Sequence, residues 1–157
     1  MAVRTIITGA QHPLLRAKTQ RVTAFGHDTK ALVQNLLDTV IAAKGAGLAA
    51  PQIGVSQSVC IVKIGKIFVP LLNPEILWRA DAEVSGEEGC LSLPGVWLFV
   101  PRAAEIIVRY EDMKKREQEK KLTGFDARVV QHEVDHLLGK LIMDYPAEAA
   151  REPGEAL

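Results

Sequence analysis

The sequence is short of three features that would point to a class of function: cysteine, an excess of charge of one sign, and a long apolar run. Its 157 residues include 2 cysteines, too few for a disulfide scaffold, which a chain of this length does not need. Its 19 basic and 19 acidic residues cancel, which disfavours nucleic acid as a partner. The longest uncharged stretch, residues 45–62, contains Pro51, Gln52 and Gln57 and is therefore not a membrane span.

Targeting segments and domain boundaries are also not apparent. The N-terminus, MAVRTIITGAQHP, lacks the apolar core of a secretory signal and the Arg- and Ser-rich character of a transit peptide. The chain has no internal repeat and no low-complexity linker. We therefore expect a cytoplasmic protein of a reducing compartment, with residues 1–157 in one domain and a frayed tail at 146–157.

Hydrophobic periodicity predicts a first long helix over residues 28–44, with Asp28 as its N-cap and Gly45 as its stop. Three short segments rich in β-branched residues follow it and predict strands. These segments are 58–62, 67–72 and 105–110. The charged run 109–121 mixes both signs, which favours a solvated β-hairpin or loop over a phosphate-binding patch.

A second helix is predicted over residues 123–141, where the helical spacing of apolar residues returns. Thr123 and Asp126 have the spacing of a capping box at its start, and Gly139 marks its end. One long helix before the strands and one after them predict an α+β domain.

The second predicted helix contains the sequence His132-Glu133-Val134-Asp135-His136, an H-E-x-x-H motif. Positions 132 and 136 lie one turn apart on one face, so both imidazoles can reach a single metal ion. Glu133 points about 100° round the helix from His132, where its carboxylate can address a water on that metal. The motif predicts a metal site that needs a third ligand from elsewhere.

The sequence leaves two candidates for this third ligand. A metzincin would have a histidine at position 142, but Ile142 stands there, so that class is excluded. A downstream glutamate would complete a thermolysin-like site, and the chain has three of them: Glu148, Glu152 and Glu155. Cys90, in the segment EEGCLS, offers a thiolate that suits iron or zinc. Beside a helix without a third ligand, Cys90 is the stronger candidate, whereas Cys60 is predicted to be a core residue.

A third segment, GAGLAAPQ at residues 45–52, directly follows the first helix. It is not a P-loop, because it lacks Gly-Lys-Ser/Thr, and not a dinucleotide fingerprint, because it follows a helix instead of opening one. Its small residues indicate that the backbone lies close to a substrate or to a neighbouring strand, and Gln52 adds an amide donor at its end.

Taken together, GAGLAAPQ, EGCLS and QHEVDH, in this order, resemble the three signature motifs of the peptide deformylases. The segments IITGAQHPLLRAKTQRV, LLNPEIL and HLLGKLIMDY are also similar to the family, so the resemblance extends over residues 5–146. It implies a single-domain α+β fold of mostly antiparallel sheets packed around a central H-E-x-x-H helix.

The resemblance further implies that Cys90, His132 and His136 bind one divalent metal, with water in the fourth position. Fe²⁺ is the family's usual physiological metal, and Zn²⁺, Ni²⁺ or Co²⁺ can substitute. The implied reaction removes the N-formyl group from the formyl-methionine of nascent polypeptides and releases formate.

By the same resemblance, the metal-bound water attacks the formyl carbon while Glu133 acts as general base and then as general acid. The Gln52 side-chain amide and the Leu91 N–H stabilise the oxyanion. Arg102 and Asp135 match a supporting ion pair of the family. The residues implied to contact the substrate are Ala46, Gly47, Glu88, Trp97, Phe125 and Val129.

The chain departs from the family pattern at Ala46, where a larger aliphatic residue is usual, and at Trp97, where some relatives carry an arginine. The turn at 112–115 lacks the usual glycine. The tail EAAREPGEAL has one Arg against three Glu, so we expect a monomer without a basic ribosome-docking helix, at most transiently close to the ribosome, and no membrane partner. Two alternatives stay open: a catalytically silent deformylase-like protein that binds peptides, and a metallohydrolase with a downstream Glu ligand.

Overall fold

Two antiparallel sheets and three α-helices make up residues 2–146, which this computed structural model describes. The helices are α1 Pro13–Arg16, α2 His27–Ala42 and α3 Gly124–Leu137, with 3₁₀ turns at Ala50–Ile53 and Ile142–Asp144. The strands are β1 Gly47–Ala49, β2 Val59–Ile64, β3 Ile67–Arg79, β4 Glu83–Cys90, β5 Leu93–Ala103, β6 Glu105–Glu111 and β7 Glu117–Thr123. None of the helices within residues 2–146 has the length and apolar character that crossing a bilayer requires.

The larger sheet has five strands in the order β1-β2-β3-β6-β7, and every neighbouring pair is antiparallel. Strands β4 and β5 form a separate two-stranded unit, the β4–β5 hairpin. The α+β class and all three predicted strands are confirmed, and the charged run 109–121 is the hairpin of β6 and β7. Strand β1 and the whole β4–β5 hairpin were not predicted from the sequence.

Helix α2 covers one face of the five-stranded sheet with its apolar side chains. Leu32, Leu36 and Val40 are buried in a cluster with residues of β1 and β2. Val33 and Leu37 are partly buried against the same cluster, whereas Ile41 is 55% exposed. The i, i+4 spacing of the buried row is the spacing that places side chains on one face of a helix.

Helix α3 lies at the centre of the fold, in contact with β1, β2, β3, β5, β6 and β7. Its buried apolar residues pack against the other face of the five-stranded sheet, in a cluster that includes Cys60. Cys60 is fully buried, as predicted. Because the H-E-x-x-H motif is on this helix, its histidines are held by an element that packs against strands of both sheets.

The boundaries of α2 differ from the predicted ones. Gly26 is the N-cap, so Asp28 lies in the first turn, where its negative charge favours the positive end of the helix. The helix ends at Ala42, and Lys44, not Gly45, takes a left-handed φ of 56°.

The boundaries of α3 also differ, for reasons of tertiary structure. Thr123 is the N-cap but makes no side-chain cap hydrogen bond, and the Asp126 carboxylate instead accepts from the backbone N–H of Gly65 at 3.1 Å. The predicted capping box is therefore wrong. The helix ends at Leu137, and Gly139 follows with a φ of 76°. A Cβ at Gly139 would lie within 3 Å of the Arg16 carbonyl, so this chain reversal needs glycine.

Candidate metal centre and active site

Three side chains that can ligate a metal meet between the end of β4 and the middle of α3. Cys90 closes β4, where the pairing with β5 shifts register between Gly89 and Cys90. Its Sγ lies 3.4 Å from Nε2 of His136, and that nitrogen lies 3.2 Å from Nε2 of His132. All three ligand atoms fall within 4.8 Å of one another. The structure thus brings the third candidate ligand, Cys90, to the face that the two histidines share.

The chemistry of this cluster fits a divalent cation. A thiolate with two imidazoles is a donor set that suits zinc or iron. Burial lowers the pKa of His136 well below its ordinary value, so this imidazole is neutral and can offer a lone pair. Burial opposes the charge of His132, but hydrogen bonds with Cys90 and Glu88 outweigh it and raise its pKa to about 10. The negative charge of the acidic groups around His132, which favours a proton on this ring, also favours a metal ion beside it.

The rival ligands lie outside the part of the chain that is described. Glu148, Glu152 and Glu155 all follow residue 146, as does the predicted frayed tail apart from Pro146. Among residues 2–146, the only group of at least three His, Cys, Asp or Glu side chains arranged to hold a metal is the Cys90–His132–His136 cluster.

Glu133 lies beside the cluster with its carboxylate buried and only 4% of the residue exposed. Within residues 2–146 its Oε2 has no hydrogen-bond partner, so this oxygen is available to a water or substrate atom. Burial raises the pKa of Glu133 to about 7. A carboxylate with this pKa can both accept and return a proton near neutral pH.

Gly47 forms the floor against which Glu133 packs. A Cβ at this position would lie 2.7 Å from Oε1 and 2.8 Å from Cγ of Glu133. The small residues of GAGLAAPQ predicted that its backbone lies close to a substrate or to a neighbouring strand. The structure shows the neighbouring strand, since Gly47 pairs with Val62. It also shows the buried carboxylate of Glu133 against Gly47.

Gln52 is buried in the 3₁₀ turn that follows β1. Its Oε1 accepts from the backbone N–H of Ala49 at 3.0 Å, which is the side-chain half of a capping box. Its Nε2 therefore points the other way, 3.0 Å from Oγ of Ser92 and 3.9 Å from Sγ of Cys90. The amide donor is thus held at the ligand cluster, next to the segment that carries Leu91.

Glu88 carries a network that sequence reasoning did not foresee. Its Oε1 accepts from Nδ1 of His132 at 2.8 Å, so Nε2 of that ring faces the ligand cluster. Arg102 donates two hydrogen bonds of 2.9 Å to the same carboxylate, and Arg128 donates a third of 2.7 Å. Burial opposes ionisation, but the bonds from Arg102 and His132 outweigh it and lower the pKa of Glu88 to about 2.

The ion pair of Arg102 and Asp135, noted from the resemblance, is present and buried. Arg102 also donates to the Tyr145 hydroxyl at 2.9 Å, and that hydroxyl donates to Asp135 at 2.6 Å. These contacts fix α3 to the β4–β5 hairpin and to the segment that follows α3. Neither Arg128 nor Tyr145 lies in a sequence motif that would have identified it as part of this network.

A cleft of about 620 Å³ opens over the cluster. Eleven of the twelve predicted site residues line it, and the exception, His136, is 1% exposed and lies behind them. Trp97 and Phe125 stand at the cleft, each 66% exposed. A Cβ at Gly89 would lie 2.7 Å from the Trp97 ring, so the glycine before Cys90 allows this indole to lie against the backbone. The cleft therefore has exposed aromatic side chains and a polar floor.

Comparison with known proteins identifies the family. The family model described as polypeptide deformylase matches residues 4–152. The peptide deformylase of Thermomicrobium roseum is 45% identical over 153 residues, covering 92% of this chain and 86% of that protein. The crystal structure of peptide deformylase from Thermotoga maritima has a TM-score of 0.90 at 36% identity, over 94% of this chain and 100% of that one. A Met-Ala-Ser-bound class I type b peptide deformylase from Acinetobacter baumannii has a TM-score of 0.87 at 31% identity, over 92% of this chain and 99% of that one. On this sequence and structural similarity, the chain belongs to the peptide deformylase family.

Proposed function

We propose that this chain removes the N-formyl group from the formyl-methionine of nascent polypeptides, with Cys90, His132 and His136 holding one divalent metal ion. Family membership supplies the reaction. The observation that carries the assignment of residues is the convergence of the three ligand atoms, within 4.8 Å, beside the buried carboxylate of Glu133. When bound, the metal polarises the formyl carbonyl and makes water more acidic.

For the metal itself we propose Fe²⁺, with Zn²⁺, Ni²⁺ or Co²⁺ able to replace it. The thiolate and imidazole donors suit all four ions, and the family resemblance favours iron. Ferrous iron beside a thiolate is open to oxidation, which agrees with a reducing, cytoplasmic setting where formylated nascent chains are made.

Glu133 is the proposed proton carrier. Its carboxylate takes a proton from water as the water oxygen bonds to the formyl carbon, and it gives that proton to the α-amine as the C–N bond breaks. Formate and a free peptide amine are the products. The buried position supports this role, because burial raises the pKa of Glu133 to about 7, near the pH at which the proton must be both taken and returned.

The Gln52 amide and the Leu91 backbone N–H are the proposed donors to the oxyanion. Negative charge develops on the formyl oxygen when water adds, and fixed donors stabilise it without reorganising. The bond from Ala49 N–H to Oε1 holds the Gln52 amide rigidly, which supports this role.

The substrate is proposed to bind in the cleft, its methionine side chain bounded by Ala46, Glu88, Phe125 and Val129. The Acinetobacter baumannii relative binds Met-Ala-Ser, which is the deformylated form of such a substrate. Gly47 offers its backbone, and Trp97 offers an apolar surface to the residues after methionine. The Glu88 carboxylate is already hydrogen-bonded to two arginines and to His132. We therefore propose that Glu88 forms part of the pocket wall and supports His132, and that its carboxylate does not bind the substrate.

We further propose that residues 1–157 form one domain and act as a monomer that meets the nascent chain near the ribosome. The family match over 4–152 supports the single domain. The outward-facing cleft supports action on a peptide end that a monomer can reach alone.

Replacing Glu133 by Gln tests this proposal. The variant keeps the shape of the side chain and all three ligands, so we expect it to fold and to bind metal like the original. Its rate of formate release from formyl-Met-Ala-Ser should fall by about 10²–10⁴-fold, because the proton carrier is lost. A variant that keeps full activity would remove Glu133 from the mechanism.

A further inference from the structure

Arg128 lies on α3 one turn before His132, with its side chain only 13% exposed. Its Nη1 donates to Oε2 of Glu88 at 2.7 Å and to the backbone carbonyl of Val100 at 2.9 Å. Its Nη2 donates to the carbonyl of Val84 at 2.7 Å. One guanidinium therefore joins α3 to both strands of the β4–β5 hairpin and to the carboxylate that holds His132.

Gly86 makes room for this guanidinium. A Cβ at Gly86 would lie 2.8 Å from Cζ and 2.9 Å from Nη2 of Arg128. Gly86 pairs with Val100 across the hairpin, so the slot lies between the two carbonyls that Arg128 binds. The φ of Gly86 is not in the left-handed region, so it is the arginine, and not the backbone, that requires glycine here.

The proposed metal ligands come from two elements that Arg128 connects. Cys90 belongs to the β4–β5 hairpin, and both histidines belong to α3. The four hydrogen bonds to Glu88 come from Arg102, Arg128 and His132, so removing Arg128 leaves Oε2 with the Arg102 bond alone. A ligating histidine whose supporting carboxylate is less constrained binds metal more weakly.

We propose that Arg128 is a positioning residue, which acts through Glu88 and the β4–β5 hairpin to set the His132 ring and Cys90 around one metal ion. This inference rests on the proposed function, because it assumes that these residues bind metal. The Arg128 guanidinium donates to Glu88 and to two backbone carbonyls of the hairpin, so its effect is on the geometry of the ligands.

The test measures Co²⁺ binding by the apo forms of four chains: the original, Arg128→Met, Gly86→Ala and the double variant. Thiolate and ligand-field absorption bands of Co²⁺ report both the dissociation constant and the ligand geometry. We expect Arg128→Met to weaken Co²⁺ binding about 10-fold and to alter the bands. We expect Gly86→Ala to act in the same direction but by less, since it displaces only the flexible end of Arg128.

Two comparisons separate positioning from a general loss of stability. Once Arg128 is gone, a methyl group at Gly86 meets an emptier slot, so the double variant should bind Co²⁺ as Arg128→Met does, without further loss. Arg128→Lys, which can restore one bond to Glu88 but not both carbonyl bonds, should fall between the original and Arg128→Met. Arg21→Met is the matched control, since its pairing with Glu111 lies on the surface, and it should leave Co²⁺ binding unchanged.

The inference is overturned if the variants lower the unfolding midpoint of the apo protein but leave the dissociation constant and the absorption bands unchanged. Additive losses in the double variant would overturn it as well. If Arg128→Met does not fold, Gly86→Ala and Arg128→Lys decide the question by the same criteria. An original chain that binds no Co²⁺ and releases no formate overturns the proposed function together with this inference, whereas unchanged binding in the variants of an active chain overturns the inference alone.

Discussion

Replacing Gly47 by Ala would disturb the proposed proton carrier without touching a metal ligand. The added Cβ would lie 2.7 Å from Oε1, 2.8 Å from Cγ and 3.0 Å from Cδ of Glu133. Ordinary contacts begin near 3.4 Å, so the Glu133 carboxylate must move by about 0.7 Å from its position beside the ligand cluster. Gly47 is itself held in β1 by its pairing with Val62, so the backbone cannot easily take up the shift.

A displacement of about 1 Å in a catalytic group can cost about 10²-fold in rate. We therefore expect kcat for formate release to fall by about 10–100-fold in Gly47→Ala. The free energy of unfolding should fall by about 1–3 kcal/mol, as is usual when a methyl group is added to a packed site. The metal content should stay the same, because Cys90, His132 and His136 are untouched.

The assay is steady-state formate release from formyl-Met-Ala-Ser, with kcat and KM determined separately on chains of equal metal content. Gly26→Ala is the control, since a Cβ at Gly26 meets nothing within 4 Å, and its kinetics should match the original. A folded, metal-loaded Gly47→Ala chain with kcat within about twofold of the original would refute the reasoning. A rise in KM alone would assign Gly47 to peptide binding only.

Three further predictions concern the cysteine ligand, the oxyanion donor and an ion pair outside the ligand cluster. Cys90→Ser should lose most of its metal on dialysis, as measured by elemental analysis, and unchanged content would favour a downstream Glu as the third ligand. Gln52→Leu should lower kcat about 10²–10³-fold at saturating peptide, and an unaltered kcat would show that its amide does not reach the oxyanion. Burial opposes the charge of Asp144, but hydrogen bonds from the Leu141 N–H and from Arg16 outweigh it and lower the pKa of the carboxyl. The pairing therefore stabilises the fold fully at a pH above the ordinary Asp pKa, and this stabilisation is lost as the pH falls through the lower pKa of the folded state. Arg16→Met should thus cost about 0.5 kcal/mol in urea unfolding at pH 6, less towards pH 3, whereas a cost that does not change with pH would contradict the assignment.

The elements that could be predicted from the sequence are those with a strong local pattern. The row of apolar residues in α2 and the β-branched runs of β2 and β6 need no tertiary information. The H-E-x-x-H spacing places two imidazoles on one helix face whatever surrounds them. The two cysteines could be given different roles, because Cys60 lies in an apolar strand, whereas Cys90 follows a glycine in a polar segment.

The β4–β5 hairpin could not be predicted, because its sequence contains the residues that usually interrupt strands. Gly86 is there to admit Arg128, Gly89 to admit the Trp97 ring, and Gly95 takes a left-handed φ of 78°. Arg128 is distant in sequence, Trp97 lies on the partner strand, and Gly95 lies where the pairing of the two strands shifts register. The support of His132 by Glu88 escaped prediction for the same reason, since 44 positions separate the two residues.

The end of α3 shows how a distant contact decides a boundary. Helical spacing continues to position 141, but the chain turns at Gly139 because the Arg16 carbonyl occupies the space where a Cβ would stand. At the other end, Asp126 bonds to Gly65 instead of capping the helix. Local propensity set the helix in the right region, and packing set its limits.

The central claim is that deformylation depends on the metal held by Cys90, His132 and His136. The most direct measurement is formate release from formyl-Met-Ala-Ser by anaerobically purified chain, before chelation, after chelation and after Fe²⁺ is returned. The account predicts release that is lost with the metal and restored with it, in proportion to the iron bound. Peptide that binds to the iron-loaded chain without any formate release would contradict it and would instead indicate a silent peptide-binding protein.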